Sequence, residues 1–193
     1  MQNAIIWMTM DINDHDLFSQ VKNGNKLAFQ TLFRKYYASM VRFIYRFVKD
    51  EDSSEEIAQE LFINFWENAP RLEIIISFKS YLYTSARNHA LNYLKKNTIR
   101  EKYHQLSAGS ETSESSYDEP INSGVFNNLI LKALQTLPEK CREIFMLSKY
   151  EGLTYDEIAD YMGLSKKTVE NQMGIGLKKM REWLQPHISG IFE

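Results

Sequence analysis

One stretch of the chain, residues 153–184, constrains the fold more than any other, and it reads LTYDEIADYMGLSKKTVENQMGIGLKKMREWL. Thr154, with Glu157 three residues later, forms a capping box that predicts the start of a helix. Gly163 occupies the position of a left-handed C-terminal cap, and Ser165 is suited to cap a second helix. Two helices joined by a tight glycine-containing turn form a helix-turn-helix, whose second helix enters the major groove of DNA.

The second helix of this motif has an apolar stripe with a period near 3.6 residues. Gly174 and Gly176 interrupt it, and a glycine inside a helix costs about 1 kcal/mol relative to alanine. Gly176 falls on the stripe, where close helix packing explains it, whereas Gly174 faces outward, where a DNA backbone could approach. The stripe that we predict to be buried comprises Val169, Met173, Leu177, Met180 and Leu184.

The polar face of the second helix carries side chains that suit duplex DNA. Asparagine and glutamine can bond adenine edges, an apolar side chain can touch a thymine methyl group, and lysines can bind phosphates. The alternative is an ordinary amphipathic helix with a solvated basic face, but the complete cap–turn–cap pattern favours a DNA reader. The predicted duplex contacts are Ser165, Lys166, Lys167, Thr168, Asn171, Gln172, Ile175, Lys178 and Lys179.

Charge and composition bound the class of protein. The 193 residues carry a net charge of −2, so bulk charge does not indicate a nucleic-acid binder. The charges are segregated, however: residues 79–102 contain six basic residues and one acid, whereas residues 49–60 contain six acids and one lysine. A single cysteine, Cys141, excludes an internal disulfide framework and fits a reducing cytosol. No apolar run approaches the roughly 20 residues of a membrane span, so we expect a soluble cytoplasmic protein.

The remaining pattern is helical throughout, and we predict an all-α fold. Residues 105–124 contain six serines, four acids and no Lys or Arg, so they cannot bury enough apolar surface to fold alone. We therefore predict two small helical domains, residues 12–104 and 125–193, joined by a flexible acidic linker, residues 105–124. Pro186 is expected to end the last helix. The other predicted helices cover about residues 16–21, 27–48, 50–66, 77–97, 125–136 and 138–150.

The helix that begins in the acidic segment 50–56 has an unusual outer face, because the apolar Ile63 lies among Gln59, Glu60 and other polar residues. One exposed isoleucine is normal on a protein surface. An apolar side chain ringed by charge is also typical of a protein-docking face. The residues alone leave both interpretations open.

The helix over residues 77–97 has a basic face interleaved with Tyr and Asn. Such a face suits single-stranded nucleic acid, because bases stack on rings and phosphates meet cations. The alternative, a solvated basic face, also remains open. The outward residues predicted for this helix are Lys79, Tyr83, Arg87, Asn88, Asn92, Lys95 and Lys96.

No catalytic constellation is visible in the sequence. His15, His89, His104 and His187 lie far apart without ligand-like spacing, and no glycine-rich phosphate loop exists. Cys141 has no local pattern of an activated nucleophile. We therefore expect no enzyme activity, no metal and no cofactor.

Together, the motifs resemble a bacterial RNA polymerase sigma factor of the extracytoplasmic-function (ECF) type, within the sigma-70 family. The resemblance extends over about residues 17–184. The first conserved part of region 2 resembles FQTLFRKYYASMVRFIYRFVKDEDSSEEIAQELFINFW. The promoter-melting helix of the family resembles SFKSYLYTSARNHALNYLKK, and region 4 resembles LPEKCREIFMLSKYEGLTYDEIADYMGLSKKTVENQ.

The resemblance implies that the acidic helix docks on the clamp helices of the largest subunit of core polymerase, which favours the docking interpretation of Ile63. Region 4 would reach the polymerase flap, and the acidic linker would thread through the polymerase. A membrane-anchored anti-sigma factor is the usual regulator of this family. The implied docking residues are Asp52, Glu55, Glu56, Gln59, Glu60, Ile63 and Trp66.

The resemblance also implies two modes of promoter binding. The helix-turn-helix would read the −35 element as duplex, while the basic helix would capture the opened −10 element as a single strand. A base would be flipped into a pocket near residues 71–77. Binding energy alone would stabilise the separated strands, so no active site is needed. The implied −10 contacts are Lys79, Tyr81, Tyr83, Arg87, Asn88, Asn92, Lys95 and Lys96.

The sequence departs from the family pattern at three of these positions. Many relatives have a basic residue at the position of Ile175 and a histidine at the position of Gln172, which puts the −35 sequence in doubt. Tyr81 stands where many relatives have tryptophan, and it keeps an aromatic ring there. Two other classes of function remain: a stand-alone DNA-binding regulator whose first domain senses a ligand, and a helical adaptor.

Overall fold

The computed structural model describes residues 13–74, 76–105 and 125–188, with side chains omitted for residues 99–105, 125–128 and 188. Every regular element in these ranges is helical, as the periodicity predicted. A 3-10 helix, Ala69–Arg71, separates α3 from α4. The α-helices are α1 Asp14–Lys22, α2 Lys26–Val48, α3 Glu51–Asn68, α4 Phe78–Gln105, α5 Val125–Gln135, α6 Glu139–Lys149, α7 Tyr155–Met162 and α8 Lys166–Ile188.

The chain divides into two compact units, Met1–Asn97 and Thr98–Glu193. The first unit contains α1, α2, α3 and most of α4, and the second contains α5 to α8. Apart from Gln105, which is the last residue of α4, the segment predicted to be a flexible linker lies outside the described residues.

Side-chain caps set the helix boundaries of the first unit. Asn25 caps α2 by accepting hydrogen bonds from the Leu27 and Ala28 amides, and Lys49 ends that helix in the left-handed region with φ 59°. Asp50 then caps α3 by accepting a bond from the Ser53 amide at 2.8 Å. A hydrogen bond with the Ser53 side chain, and to a lesser extent the bond from the Ser53 amide, lowers the pKa of Asp50. The acidic segment is therefore a helix start, as its charge predicted.

Aromatic rings fill the core of the first unit. Phe65 is fully buried between Phe18 of α1 and Phe78 at the start of α4, with ring centroids 6.2 and 4.9 Å away. Leu32 and Met40 of α2 are also fully buried. Residues from all four helices thus meet in one core. The sides of α3 and α4 that face away from this core are left exposed.

The second unit contains the predicted helix-turn-helix. Thr154 and Glu157 form the capping box at the start of α7, and Gly163 ends α7 in the left-handed region with φ 64°. Ser165 accepts a hydrogen bond from the Thr168 amide at 3.1 Å as α8 begins. The turn predicted from the sequence is therefore present, with α8 as its second helix.

Two expectations about α8 are wrong. Leu177 is 43% exposed rather than buried, because Gly176 takes its place in the buried stripe, against Cys141 and Phe145 of α6. Pro186 does not end the helix, which continues to Ile188. A proline this close to the end removes only one backbone bond, and the His187 ring stacks on Trp183 with centroids 4.0 Å apart.

Candidate DNA and polymerase interfaces

The recognition surface of α8 begins at its capping residue. The Ser165 hydroxyl bonds the Thr168 hydroxyl at 2.8 Å, so the cap also orients the first side chain of the face. Val169 and Met173 anchor the opposite side of α8, and both are buried. This anchoring leaves Asn171 exposed and Gln172 and Thr168 half-buried, while Ile175 is 44% exposed. The helix therefore presents two amides and one apolar side chain, as the sequence predicted.

Lysines surround this surface and form ion pairs with nearby carboxylates. Lys166 bonds Asp156 of α7 at 2.8 Å, which raises the pKa of Lys166, and Lys167 lies 3.3 Å from Glu170. Exposed pairs of this kind add little to stability, so a phosphate can replace the carboxylate at little cost. Lys178 and Lys179 are also exposed further along α8.

The outer face of α4 has asparagines at its centre and not the tyrosine, Tyr83, that the sequence predicted there. Asn88, Asn92 and Lys95 are exposed, and their spacing places them on one side of the helix. Lys96 is exposed on an adjacent side. This surface offers amides and cations, which can bond base edges and phosphates.

The expectation that Tyr83 faces outward is wrong. Its side chain is only 1% exposed, and its ring meets Phe43 of α2 edge to face with centroids 4.9 Å apart. Lys79 and Arg87, one turn before and after Tyr83, are half-buried on the same side of α4. The sequence pattern misassigned Tyr83 because tyrosine suits both an exposed surface and a core. Here the free energy gained by burying its ring determines its position.

Tyr81 lies at the edge of the α4 surface. It is half-buried, with its ring 6.2 Å from Phe65 and 6.4 Å from Phe78. Burial raises the pKa of Tyr81, while a hydrogen bond with Ser85 lowers it to a lesser extent. The ring is therefore held by the core with part of its surface accessible, as a base-stacking platform requires.

The connector between the 3-10 helix and α4, of which residues 72–74, 76 and 77 are described, is held at both ends. Ser77 caps α4 by accepting a hydrogen bond from the Ser80 amide at 3.0 Å. The Leu72 carbonyl accepts a bond from the Lys22 ammonium at 2.8 Å. Ile76 is 49% exposed beside the start of α4. Sequence reasoning missed Lys22, and no local pattern reveals a partner that lies 50 residues away.

The outer face of α3 is acidic and carries one exposed apolar side chain in the C-terminal half of the helix. The 18 residues of α3 include six acids and no Lys or Arg. Ile63 is 56% exposed, and Trp66 is half-buried against Phe29 with ring centroids 5.1 Å apart. The other exposed residues of the predicted docking face are Asp52, Glu55, Glu56, Gln59 and Glu60, all of which precede Ile63 along α3. The structure thus places all seven predicted docking residues on α3, with Trp66 at the margin of the exposed surface.

The described residues contain neither a candidate metal site nor a helix that could cross a membrane. In those ranges, no three His, Cys, Asp or Glu side chains are grouped closely enough to bind a metal. None of the described helices has the length and apolar character that a bilayer crossing requires.

Two family models match the chain. The model for sigma-70 region 2 matches residues 32–99, and the model for sigma-70 region 4 matches residues 127–180. The first match covers most of α2, all of α3 and the part of α4 that carries the predicted −10 contacts. The second covers α6, α7 and most of α8.

Curated proteins and solved structures show the same similarity over most of the chain. The RNA polymerase sigma-H factor of Pseudomonas aeruginosa is 28% identical, over 90% of this chain and 94% of its own. The ECF RNA polymerase sigma-E factor of Haemophilus influenzae is 25% identical, over 93% of this chain and 99% of its own. The ECF RNA polymerase sigma factor SigW of Bacillus subtilis is 26% identical, over 86% of this chain and 94% of its own.

Two solved structures share the fold. CnrH in complex with the cytosolic domain of CnrY is matched at TM-score 0.57 and 20% identity, over 90% of this chain and 97% of that one. RpoE from Bartonella quintana, in complex with the anti-sigma factor NepR, is matched at TM-score 0.54 and 19% identity, over 81% and 96%.

Proposed function

We propose that this chain, which belongs to the extracytoplasmic-function group of the sigma-70 family, directs core RNA polymerase to promoters by binding two elements of the same promoter. Sigma factors associate with RNA polymerase, bind DNA through region 4 and act in transcription initiation. The finer assignment concerns which residues bind which element. One observation carries it: each of the two compact units exposes its own helix face of amides and lysines.

We assign −35 recognition to α8. Asn171 and Gln172 would bond base edges in the major groove, and Ile175 would contact a thymine methyl group. Lys178, Lys179 and the two lysines at the start of the helix would bind phosphates. The support for this assignment is the capped helix-turn-helix geometry and the full or partial exposure of these side chains. Each good base contact contributes about 1–3 kcal/mol of discrimination.

We assign −10 capture to α4 and the connector before it. Asn88, Asn92 and Lys95 offer polar contacts for a separated strand, and Tyr81 offers a partly accessible ring. Tyr83 supports this surface from within, because its ring is buried. An unstacked base would enter beside Ile76. No covalent chemistry is needed, since binding the separated strand shifts the equilibrium towards the open duplex.

We assign polymerase docking to the acidic face of α3. An exposed apolar side chain on an acidic face offers an anchor that docking would desolvate, beside a charged rim. The limits of the functional domains are proposed to be residues 12–104 and 125–193, with residues 105–124 as the tether between them. Because it would act on DNA and polymerase, we also propose that the protein works in the cytoplasm.

We further propose control by an anti-sigma factor. Of the two solved structures that share the fold, one is a complex with the anti-sigma factor NepR and the other a complex with the cytosolic domain of CnrY. Such a partner would act by covering the two proposed DNA surfaces and the proposed docking face until initiation is required. The predicted membrane anchor of that partner stays a prediction.

Mapping of transcript starts tests the proposed function. Core polymerase, with and without the purified protein, is incubated with fragments of the source genome, and the 5′ ends of the transcripts are sequenced. The proposal expects new starts that share two spaced upstream elements. If no fragment supports a start that depends on the protein, the proposal is wrong. Tight duplex binding without polymerase would instead favour a stand-alone regulator.

A further inference from the structure

The connector before α4 has no regular secondary structure among its described residues, so no backbone ladder holds it in place. Ser77 fixes its end by capping α4. Its start is fixed by the Leu72 amide, which donates to the Ala69 carbonyl at 3.2 Å, and by a side chain from a different helix.

That side chain is Lys22, the last residue of α1. Its ammonium donates to the Leu72 carbonyl at 2.8 Å and lies 5.7 Å from the centroid of the Phe18 ring. Phe18 is buried and stacks on Phe78, the first residue of α4, with centroids 6.2 Å apart. The end of α1 is therefore joined both to the start of the connector and to the start of α4.

This contact is stronger than an ordinary surface lysine contact. The bond is charge-assisted, and both partners are partly buried, where less water competes for the ammonium. Holding a lysine in one conformation costs side-chain entropy, so the contact persists only because it satisfies a carbonyl that is partly removed from water. The packing of α1 against the 3-10 helix keeps the two groups within reach.

We propose that Lys22 is a positioning residue for promoter opening: by holding the Leu72 carbonyl, it sets the connector in the conformation that receives the unstacked −10 base. This inference rests on the proposed function, because it assumes that the connector captures that base. Lys22 itself need not touch the DNA. Without the ammonium, the connector samples other conformations, and capture of the base carries an additional ordering cost.

The test compares the wild-type protein with Lys22→Met, which keeps the apolar stem and removes the donor. Lys22→Arg keeps a charged donor. Lys35→Met is the matched control, because Lys35 also joins two helices, through a 2.7 Å bond to Asp14, but lies away from the connector. Each protein is assembled with core polymerase and bound to fork DNA from a mapped promoter, with the unstacked base either present or abasic. The readout is the ratio of the two dissociation constants, which does not depend on the folded fraction.

The wild-type holoenzyme is expected to bind the intact fork about tenfold or more tightly than the abasic fork. Lys22→Met is expected to reduce this ratio at least about threefold, while Lys35→Met leaves it unchanged and Lys22→Arg retains most of it. A full ratio in Lys22→Met, or an equal reduction in Lys35→Met, would overturn the inference. If the wild-type holoenzyme itself does not distinguish the two forks, base capture by the connector is wrong, and the inference fails with it.

Discussion

Gly176 of α8 lies directly against Cys141 of α6: a Cβ atom at Gly176 would stand 3.0 Å from the Cys141 Sγ. The thiol also donates to the Gln172 carbonyl at 3.2 Å, one turn earlier in α8. The recognition helix is therefore seated on α6 through a glycine and a small buried side chain. Larger groups at either position would push the proposed DNA-reading face away from the rest of its unit.

The two glycines of α8 are predicted to respond oppositely to substitution. Gly176→Val places a branched side chain against Cys141 and Phe145, so we expect a loss of about 1–3 kcal/mol in the free energy of unfolding. Gly174→Ala meets nothing within 4 Å, and we expect a gain of up to about 1 kcal/mol, because alanine is the better helix former. Urea unfolding monitored by circular dichroism measures both. Equal effects from the two substitutions would contradict the packing described for α6 and α8.

Arg142 is predicted to stabilise the corner between α5 and α6. Its guanidinium donates to the carbonyls of Leu134, Gln135 and Leu137 at 2.9 to 3.0 Å. Arg142→Met should remove all three bonds and cost about 1–3 kcal/mol. Amide hydrogen exchange in α5 and α6 measures the loss, with Arg181→Met on the exposed face of α8 as the control. Protection that stays at the wild-type level would show that the corner does not depend on this side chain.

Burial raises the pKa of the Cys141 thiol, although the nearby charge of Lys179 lowers it slightly. The folded protein thus retains the proton at pH values where the unfolded chain releases it. Stability from this source is present below the unfolded thiol pKa, about 8.5, and is lost as the pH rises through the higher folded value. We expect iodoacetamide to label Cys141 slowly at pH 8 in the native protein and rapidly in urea. Rapid labelling of the native protein would contradict the burial.

The docking face is predicted to depend on Ile63 more than on other exposed apolar residues. Ile63→Glu combined with Glu60→Lys should weaken binding to core polymerase about tenfold or more. The first substitution removes the apolar anchor, and the second reverses one charge of its rim. Leu27→Glu is the matched control, since Leu27 is 72% exposed at the start of α2, outside the acidic face. Affinity for core polymerase is measured by fluorescence anisotropy of labelled protein. Equal affinities for wild type and the Ile63 variant would place docking elsewhere.

Helix boundaries and caps were predictable from the sequence because local chemistry determines them. Thr154, Glu157 and Gly163 define the first helix of the motif through their own hydrogen bonds and dihedral angles. The outward positions of Asn171 on α8 and Ile63 on α3 also followed from helical periodicity.

Tertiary contacts account for what the sequence could not show. Periodicity could not distinguish Gly176 from Leu177 as the residue under α6, because a glycine carries no hydrophobic signal. The burial of Tyr83 depends on Phe43, which lies 40 residues earlier, and the bond from Lys22 to Leu72 spans 50 residues. Which element each surface binds remains a prediction, since periodicity reports exposure and not the partner.

Permanganate footprinting of a mapped promoter tests the central claim most directly, because permanganate oxidises unpaired thymines. With core polymerase and the wild-type protein, we predict reactive thymines in the −10 element and an intact, protected duplex at the −35 element. Neither the protein nor core polymerase alone should open the DNA. If the −35 duplex is protected but no thymine becomes reactive, the protein binds DNA without supporting promoter opening, and the proposed two-element mechanism is contradicted.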